Sequence, residues 1–165
     1  MASNTATWAG IVLAVTASLS GCADTLPTAP ACPHTLVDTP AKSAGCLSID
    51  QGKLLVIEEM SGKISTPGGS GNPQEPAHCT AHRETWEETG LNVKPIRLIR
   101  VFDNGFHLFE CQADGNQRLP KPPFYLEINR AMWIRADDFD QFQWRFPEQK
   151  DWLKQQMLKS APAPD

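Results

Sequence analysis

The sequence predicts an α/β protein, a mixed β-sheet with a helix on each side. Three observations carry this. Residues 53–58 (KLLVIE) are a short run rich in Leu, Val and Ile, bounded by Gln51-Gly52 and by a glycine-containing stretch, as a buried strand is. Residues 93–102 and 106–111 flank Asp103-Asn104-Gly105, and Asn-Gly is a strong hairpin signal. Two further segments, 76–89 and 147–159, read as helices opening on a proline, which the first turn of a helix tolerates. A sheet between two helices is the natural way to bury these elements together. At 165 residues, with 41% hydrophobic and 21% charged residues, the chain has the size and composition of one catalytic domain.

The elements follow in order. Residues 8–19 (WAGIVLAVTASL) are apolar and end in small residues. A bilayer span needs about 20 apolar residues, so this run is too short for one and reads as a secretory signal. Leu19-Ser20-Gly21-Cys22 resembles a bacterial lipobox, whose cysteine is lipidated and becomes the new N-terminus. We therefore expect a signal peptide over 1–21, a lipid on Cys22, and a lipoprotein attached to a membrane of the cell envelope and facing the periplasm. No Lys or Arg precedes Lys42, so the usual basic start of a signal is missing. An ordinary cleaved signal or a buried N-terminal helix is the plainer alternative. Residues 22–43 are rich in Pro, Thr and Ala and read as a tether, with the domain over 44–159.

Within the domain, 45–50 reads as a strand, Gln51-Gly52 as a turn and 53–58 as the second strand. The glycines and prolines of 61–73 make a loop. A helix should run from Pro76 to Thr89, with Gly90 as its C-terminal cap. The 93–111 hairpin follows, then a polar, proline-containing loop over 113–123. Residues 124–128 and 132–134 read as further strands. The closing helix carries Trp152, Leu153 and Met157 on one side, and 160–165 is a disordered Ala/Pro tail.

The chemistry lies in residues 69–91, GSGNPQEPAHCTAHRETWEETGL. On a helix, Glu84, Glu87 and Glu88 stand at i, i+3 and i+4, so three carboxylates share one face. Like charges so close destabilise a helix unless something offsets them. A hard divalent cation does so, and Mg²⁺ is usually held by a few carboxylates together with a substrate's phosphates. The plain alternative is a solvated acidic face.

The full pattern is Gly69, five residues, Glu75, seven residues, Arg83-Glu84-x-x-Glu87-Glu88-x-Gly90, then aliphatic Leu91. It resembles the signature of the Nudix hydrolases. Seven positions match at fixed spacing, a chance event on the order of 10⁻⁹ per starting position. One departure is Thr85, where the family usually has a bulky aliphatic residue. The resemblance implies a Nudix-like α/β/α sandwich and a metal-dependent pyrophosphohydrolase. Position by position, it implies Mg²⁺ or Mn²⁺ on Glu84, Glu87 and Glu88, and catalytic duty shared by these with Arg83. It implies Glu75 as the structural partner of Arg83, Gly68 and Gly69 as a backbone bare enough to meet substrate, and Gly90 as the helix stop. The general base is a glutamate of the signature, or Glu110 or Glu127 from outside it. An exposed strand position is the plain reading of the last two.

The expected substrate is a small diphosphate-containing molecule, specifically a nucleoside diphosphate linked to another moiety or a related diphosphate. Specificity should lie in 113–123 and 138–146. A formal net charge of −4 argues against a nucleic-acid polymer as partner. The runner-up is a lipid-anchored binding protein whose domain does not cleave. Cys32, Cys46, Cys79 and Cys111 allow three disulfide pairings in an oxidising compartment. We expect Cys32–Cys46 and Cys79–Cys111, with four buried thiols as the alternative. His78 and His82, at i and i+4, lack a visible third ligand for zinc. Trp133, Trp144 and Trp152 are expected to pack in the core or at its rim rather than to stack on a base.

Overall fold

A computed structural model describes residues 28–33, 36–113, 120–123 and 128–160 of the chain. The expected signal peptide, Cys22, Glu127, residues 124–127, most of the 113–123 loop and the tail beyond 160 lie outside the described residues. Eight strands and two helices are present among those described. They are β1 Ser43–Leu47, β2 Ile49–Asp50, β3 Lys53–Glu59, β4 Ile64–Ser65, β5 Gly68–Ser70, α1 Ala77–Thr89, β6 Val93–Val101, β7 Phe106–Ala113, β8 Ile128–Arg135 and α2 Pro147–Ser160, with a short 3₁₀ helix at Ala136–Gln141 before α2.

The strands form two four-stranded sheets. One has the order β5-β1-β7-β6 and is mixed, because β1 runs parallel to β7 while the other pairs are antiparallel. In the other, β3 pairs with β8 along one edge and with β2 and β4 along the opposite edge. The turn at Gln51-Gly52 has positive φ at both residues, 46° and 69°, which suits a two-residue hairpin. Val101 pairs with His107, so the Asp103-Asn104-Gly105 hairpin stands where the sequence placed it.

Alternation along the strands sorts the core into two faces. Ala44 and Cys46 of β1, Leu55 of β3, and Phe109 and Cys111 of β7 pack with Ala77 and Ala81 of α1. Leu47, Leu54, Val56 and Leu108 point the other way, toward Leu153 and Met157 of α2 and toward Phe139 and Trp144. The expected α/β arrangement, a mixed sheet between helices, is what forms. Trp144 is buried and donates its Nε1–H to the Phe139 carbonyl at 3.0 Å, while Trp152 meets Phe102 edge-on. Both are packing residues.

Three expectations need correction. The strands expected at 124–128 and 132–134 contain one continuous described strand, β8, whose pairing with β3 runs through Asn129-Arg130 and absorbs an irregularity at Glu58/Glu59. The loop expected at 61–73 contains β4 and β5. Ile64 and Ser65 are buried there and pair with β3.

The third correction concerns the disulfides, which are Cys32–Cys79 and Cys46–Cys111 rather than the expected pairs. The cause is the non-local parallel pairing of β1 with β7. It sets Cys46 against the Cys111 strand, on the same face, with Cα atoms 5.5 Å apart. Cys79, in the first turn of α1, is then left to the N-terminal arm. That arm is seated on the domain from residue 38, ahead of the expected start at 44. The Ala77 N–H donates to the Thr39 carbonyl at 3.2 Å, the His78 N–H to Asp38 Oδ2 at 2.9 Å, and Pro40 forms a bridge with Pro76. Pro76 at the N-cap brings no side-chain cap, so the arm satisfies amides that a helix start leaves open.

Replacing Cys46 and Cys111 together by Ala is expected to lower stability by about 3 kcal/mol, since the bond closes a long loop. The urea midpoints of the two proteins measure this. An unchanged midpoint would show that the strand pairing holds without the cross-link.

Candidate active site

Helix α1 lies close to the sheet because its inward stripe is small. Ala77, Ala81, Thr85 and Thr89 recur every fourth residue and are all fully buried. Thr85, the one departure from the signature, donates its hydroxyl to the Ala81 carbonyl at 2.7 Å, and Thr89 donates to Thr85 O at 2.5 Å. Each hydroxyl is satisfied within the helix, so neither carries an unpaired polar group into the core. The helix stops at Gly90, where φ is 70° and the amide donates to Trp86 O at 2.7 Å. A side chain there would also collide with the Lys121 carbonyl.

With the inward stripe fixed, residues 83, 84, 87 and 88 flank it on the side that meets the β5 segment. Arg83 organises them. Its Nε and Nη2 grip both oxygens of Glu75 at 2.9 Å each, a forked pair. Nη2 also reaches the Ser70 carbonyl at 2.9 Å. Nη1 donates to Glu84 Oε1 at 2.8 Å and to Glu87 Oε2 at 3.0 Å. Glu75 is fixed further by the Asn72 amide and the Thr80 hydroxyl, each at 3.0 Å. The Arg83 hydrogen bond foremost, against some opposing burial, lowers the Glu75 pKa to about 2. The same bond raises the Arg83 pKa above its ordinary value. Glu84 shifts the other way. Burial raises its pKa, and Arg83 only partly counters that.

The glycines do what close approach requires. A Cβ on Gly69 would overlap the Glu84 carboxylate. The Gly68 amide donates to Glu88 Oε2 at 2.7 Å. The structure thus brings Gly68, Gly69, Glu75, Arg83, Glu84, Glu87 and Glu88 into one connected site, with Gly90 ending the helix behind it. Among the described residues the three glutamates do not converge on a single point: Glu84 and Glu87 turn to Arg83, and Glu88 to Gly68. Their donor set is entirely carboxylate oxygen, which suits a hard cation such as Mg²⁺ or Mn²⁺.

Other candidates fall elsewhere. Glu110 is a half-exposed strand residue paired with Arg97 at 2.6 Å. His78 is bound to Asp38 at 2.7 Å and His82 to Asn92 at 2.8 Å, so the two rings serve separate contacts. One residue was missed by name, although 138–146 was the expected specificity region. Arg145 lines a cleft of about 230 Å³ together with Gly68, Gly69, Phe106 and Gln149. It also lines a second cleft of about 320 Å³ that contains Glu88 and Glu59, and it is ion-paired to Glu59. No spacing rule links Arg145 to the signature; the Ile64–Trp144 bridge next to it brings it there.

Residues 39–156 match the NUDIX domain family. The chain belongs to the Nudix family. Phosphatase NudJ of Escherichia coli strain K12 is 30% identical to it over 108 residues, which cover 60% of this chain and 71% of that protein. Among solved structures, an ADP-ribose pyrophosphatase from Streptococcus suis aligns with a TM-score of 0.60 and 19% identity, covering 77% of this chain and 97% of the other. A UDP-X diphosphatase aligns with a TM-score of 0.59 and 19% identity, covering 77% of this chain and 66% of the other. These two likenesses establish the Nudix fold, and the family is one of pyrophosphohydrolases.

Two outcomes are expected at this site. Gly69→Ala should displace Glu84 and cut turnover by at least about tenfold while the melting temperature falls only slightly, because the collision is with a side chain at the surface of the core. Full activity in that variant would remove Glu84 from the site. Glu75→Gln should cost about 2 kcal/mol at pH 7, between the values for exposed and buried pairs. Its pH signature is more specific. Glu75 ordinarily titrates near 4.5 but only near about 2 when folded, so the unfolded chain takes up a proton that the folded chain refuses. Its stabilising contribution is therefore complete above 4.5 and drains away as the pH falls toward 2. Urea melts at pH 5 and pH 3 should show a smaller loss in Glu75→Gln than in the parent protein.

Proposed function

We propose that this chain is a metal-dependent hydrolase of the pyrophosphate bond in a nucleoside diphosphate linked to another moiety, or in a related diphosphate. The observation that carries this is the Arg83 fork. One guanidinium, fixed on Glu75, aligns Glu84 and Glu87 on the side of α1 that faces the Gly68-Gly69 backbone, and that backbone holds Glu88. The names of the structural relatives, an ADP-ribose pyrophosphatase and a UDP-X diphosphatase, favour a substrate of this class.

Glu84, Glu87 and Glu88 would hold Mg²⁺ or Mn²⁺. Bound there, the ion supplies neutralisation of phosphate charge and polarisation at phosphorus. The chain's own residues do the remainder. Arg83 keeps two carboxylates oriented without competing for substrate, since Glu75 and Ser70 O occupy its other edge. Gly69 leaves room for the Glu84 carboxylate against the main chain, and with Gly68 it lines the cleft that Arg145 shares. Arg145 lines both clefts, one of them with Glu88, and so brings a guanidinium beside the place where the diphosphate would lie. The cleft with Phe106 and Gln149 offers a place for the group beyond the diphosphate. We further propose that the protein is exported and held at the bacterial envelope through a lipid on Cys22, the reading favoured by residues 8–22.

The test is phosphate release from a panel of nucleoside diphosphate sugars, dinucleotides and lipid diphosphates, with Mg²⁺, with Mn²⁺ and with chelator. Turnover of at least one member, abolished by chelator, is expected. Glu87→Gln with Glu88→Gln should lower it about a thousandfold, some 4 kcal/mol of lost transition-state stabilisation, with the fold intact. Undiminished turnover in that variant would overturn the metal assignment. Cys22→Ala should release the protein from the membrane fraction, and continued attachment would refute the anchor.

A further inference from the structure

The two disulfides lie in different chemical surroundings. Cys46 and Cys111 are 0% and 4% exposed, packed among Ala44, Leu55, Val93 and Phe109. Cys32 is only half-buried, on the N-terminal arm, while its partner Cys79 is 5% exposed in the first turn of α1. Beside Cys79 stands a buried histidine. His78 Nδ1 lies 2.7 Å from Asp38 Oδ1, and Nε2 lies 3.4 Å from the Cys79 sulfur. Asp38 is itself anchored, because its second oxygen accepts the His78 backbone N–H at 2.9 Å.

We propose that the Cys32–Cys79 bond is a thiol-exchange site, in which a small thiol attacks Cys32 and Cys79 departs as a sulfur stabilised by the His78–Asp38 pair. Access selects the sulfur attacked, since Cys32 is the less buried of the two. Environment selects the leaving group. A helix N-terminus favours negative charge, and an imidazole nitrogen beside the sulfur offers a place for the proton as the bond opens. A sulfur stabilised as the anion leaves faster.

The step balances as follows. The attacking thiol gives up its proton and forms a new S–S bond to Cys32. The Cys32–Cys79 bond breaks, and its electron pair goes to Cys79 Sγ. The proton is taken up by the His78–Cys79 pair and shared between Nε2 and Sγ, while Asp38 holds Nδ1–H. A second equivalent of the same thiol attacks the mixed disulfide, releasing the oxidised thiol dimer and leaving Cys32 reduced.

The consequence reaches α1. The arm between Cys32 and Lys42 closes the helix start through Thr39 and Asp38, and the Lys42 carbonyl accepts the Gly71 N–H at 3.1 Å. Opening the bond removes the covalent hold on that arm, five residues before the signature's Glu84.

The test exposes the intact protein to graded concentrations of glutathione, traps free thiols by alkylation and locates labels and adducts by peptide mass. Cys32 and Cys79 should open at a thiol concentration at least about tenfold below that needed for Cys46 and Cys111, with the glutathione adduct on Cys32. His78→Gln should slow opening about tenfold, and hydrogen exchange at the Ala77 and His78 amides should rise once the bond is open. Simultaneous opening of both disulfides, or an adduct on Cys79, would overturn the proposal. So would wild-type opening rates in His78→Gln. The mapping in the unmutated protein stands even where that variant folds poorly.

Discussion

Everything at the signature depends on one guanidinium. Arg83 makes a forked pair with Glu75 and so ties helix α1 to the loop that leads into it. An isolated surface pair would contribute little. This pair differs because both partners are mostly shielded and because Glu75 accepts two further hydrogen bonds, from Asn72 and Thr80. The fork leaves Nη1 as the only edge of Arg83 facing Glu84 and Glu87, and its direction sets theirs. A lysine would supply the charge but not the geometry, since it lacks the planar fork.

The fork can only work if α1 sits at a fixed height above the sheet. Small residues at every fourth position provide that, and the threonines among them turn their hydroxyls back into the helix. The same closeness makes the glycines obligatory: Gly69 faces the Glu84 carboxylate, and Gly90 faces the Lys121 carbonyl. The arm then completes the helix start from outside, which Pro76 cannot do from within. Packing height, backbone approach and capping are thus one constraint expressed at three places.

This explains what the sequence could and could not reveal. The helix, its glycine stop, the Asn-Gly hairpin and the central strand were legible because each is encoded within a few neighbouring residues. The glutamate spacing was legible for the same reason, as helical periodicity places 84, 87 and 88 without reference to the rest of the fold. The disulfide pairing was not, because it follows from β1 lying parallel to β7, and nothing local to Cys46 announces a partner 65 residues away. Arg145 was likewise hidden: it reaches the site through a bridge between Ile64 and Trp144. Ile64-Ser65 passed for loop because two residues are too few to show a period, and 129–130 passed for a break because polar residues on the exposed face of a strand look the same as a turn.

The electrostatics of the site supply the last step. Four carboxylates, at 75, 84, 87 and 88, gather beside Arg83, and Glu75 alone takes both teeth of its fork. The remaining three share what is left: a single Nη1 for two of them and the Gly68 amide for the third. A helix face with that excess of negative charge is unfavourable in isolation. Burial adds to this by raising the Glu84 pKa, which Arg83 only partly counters. A proton and a divalent ion are the two ways to relieve the same excess. At neutral pH the proton is scarce, and a cation held by oxygen donors is the better solution. The charge imbalance that Arg83 leaves uncorrected is therefore a physical reason to propose a divalent cation on these three glutamates, and it follows from how the fold commits this guanidinium as well as from the glutamate spacing.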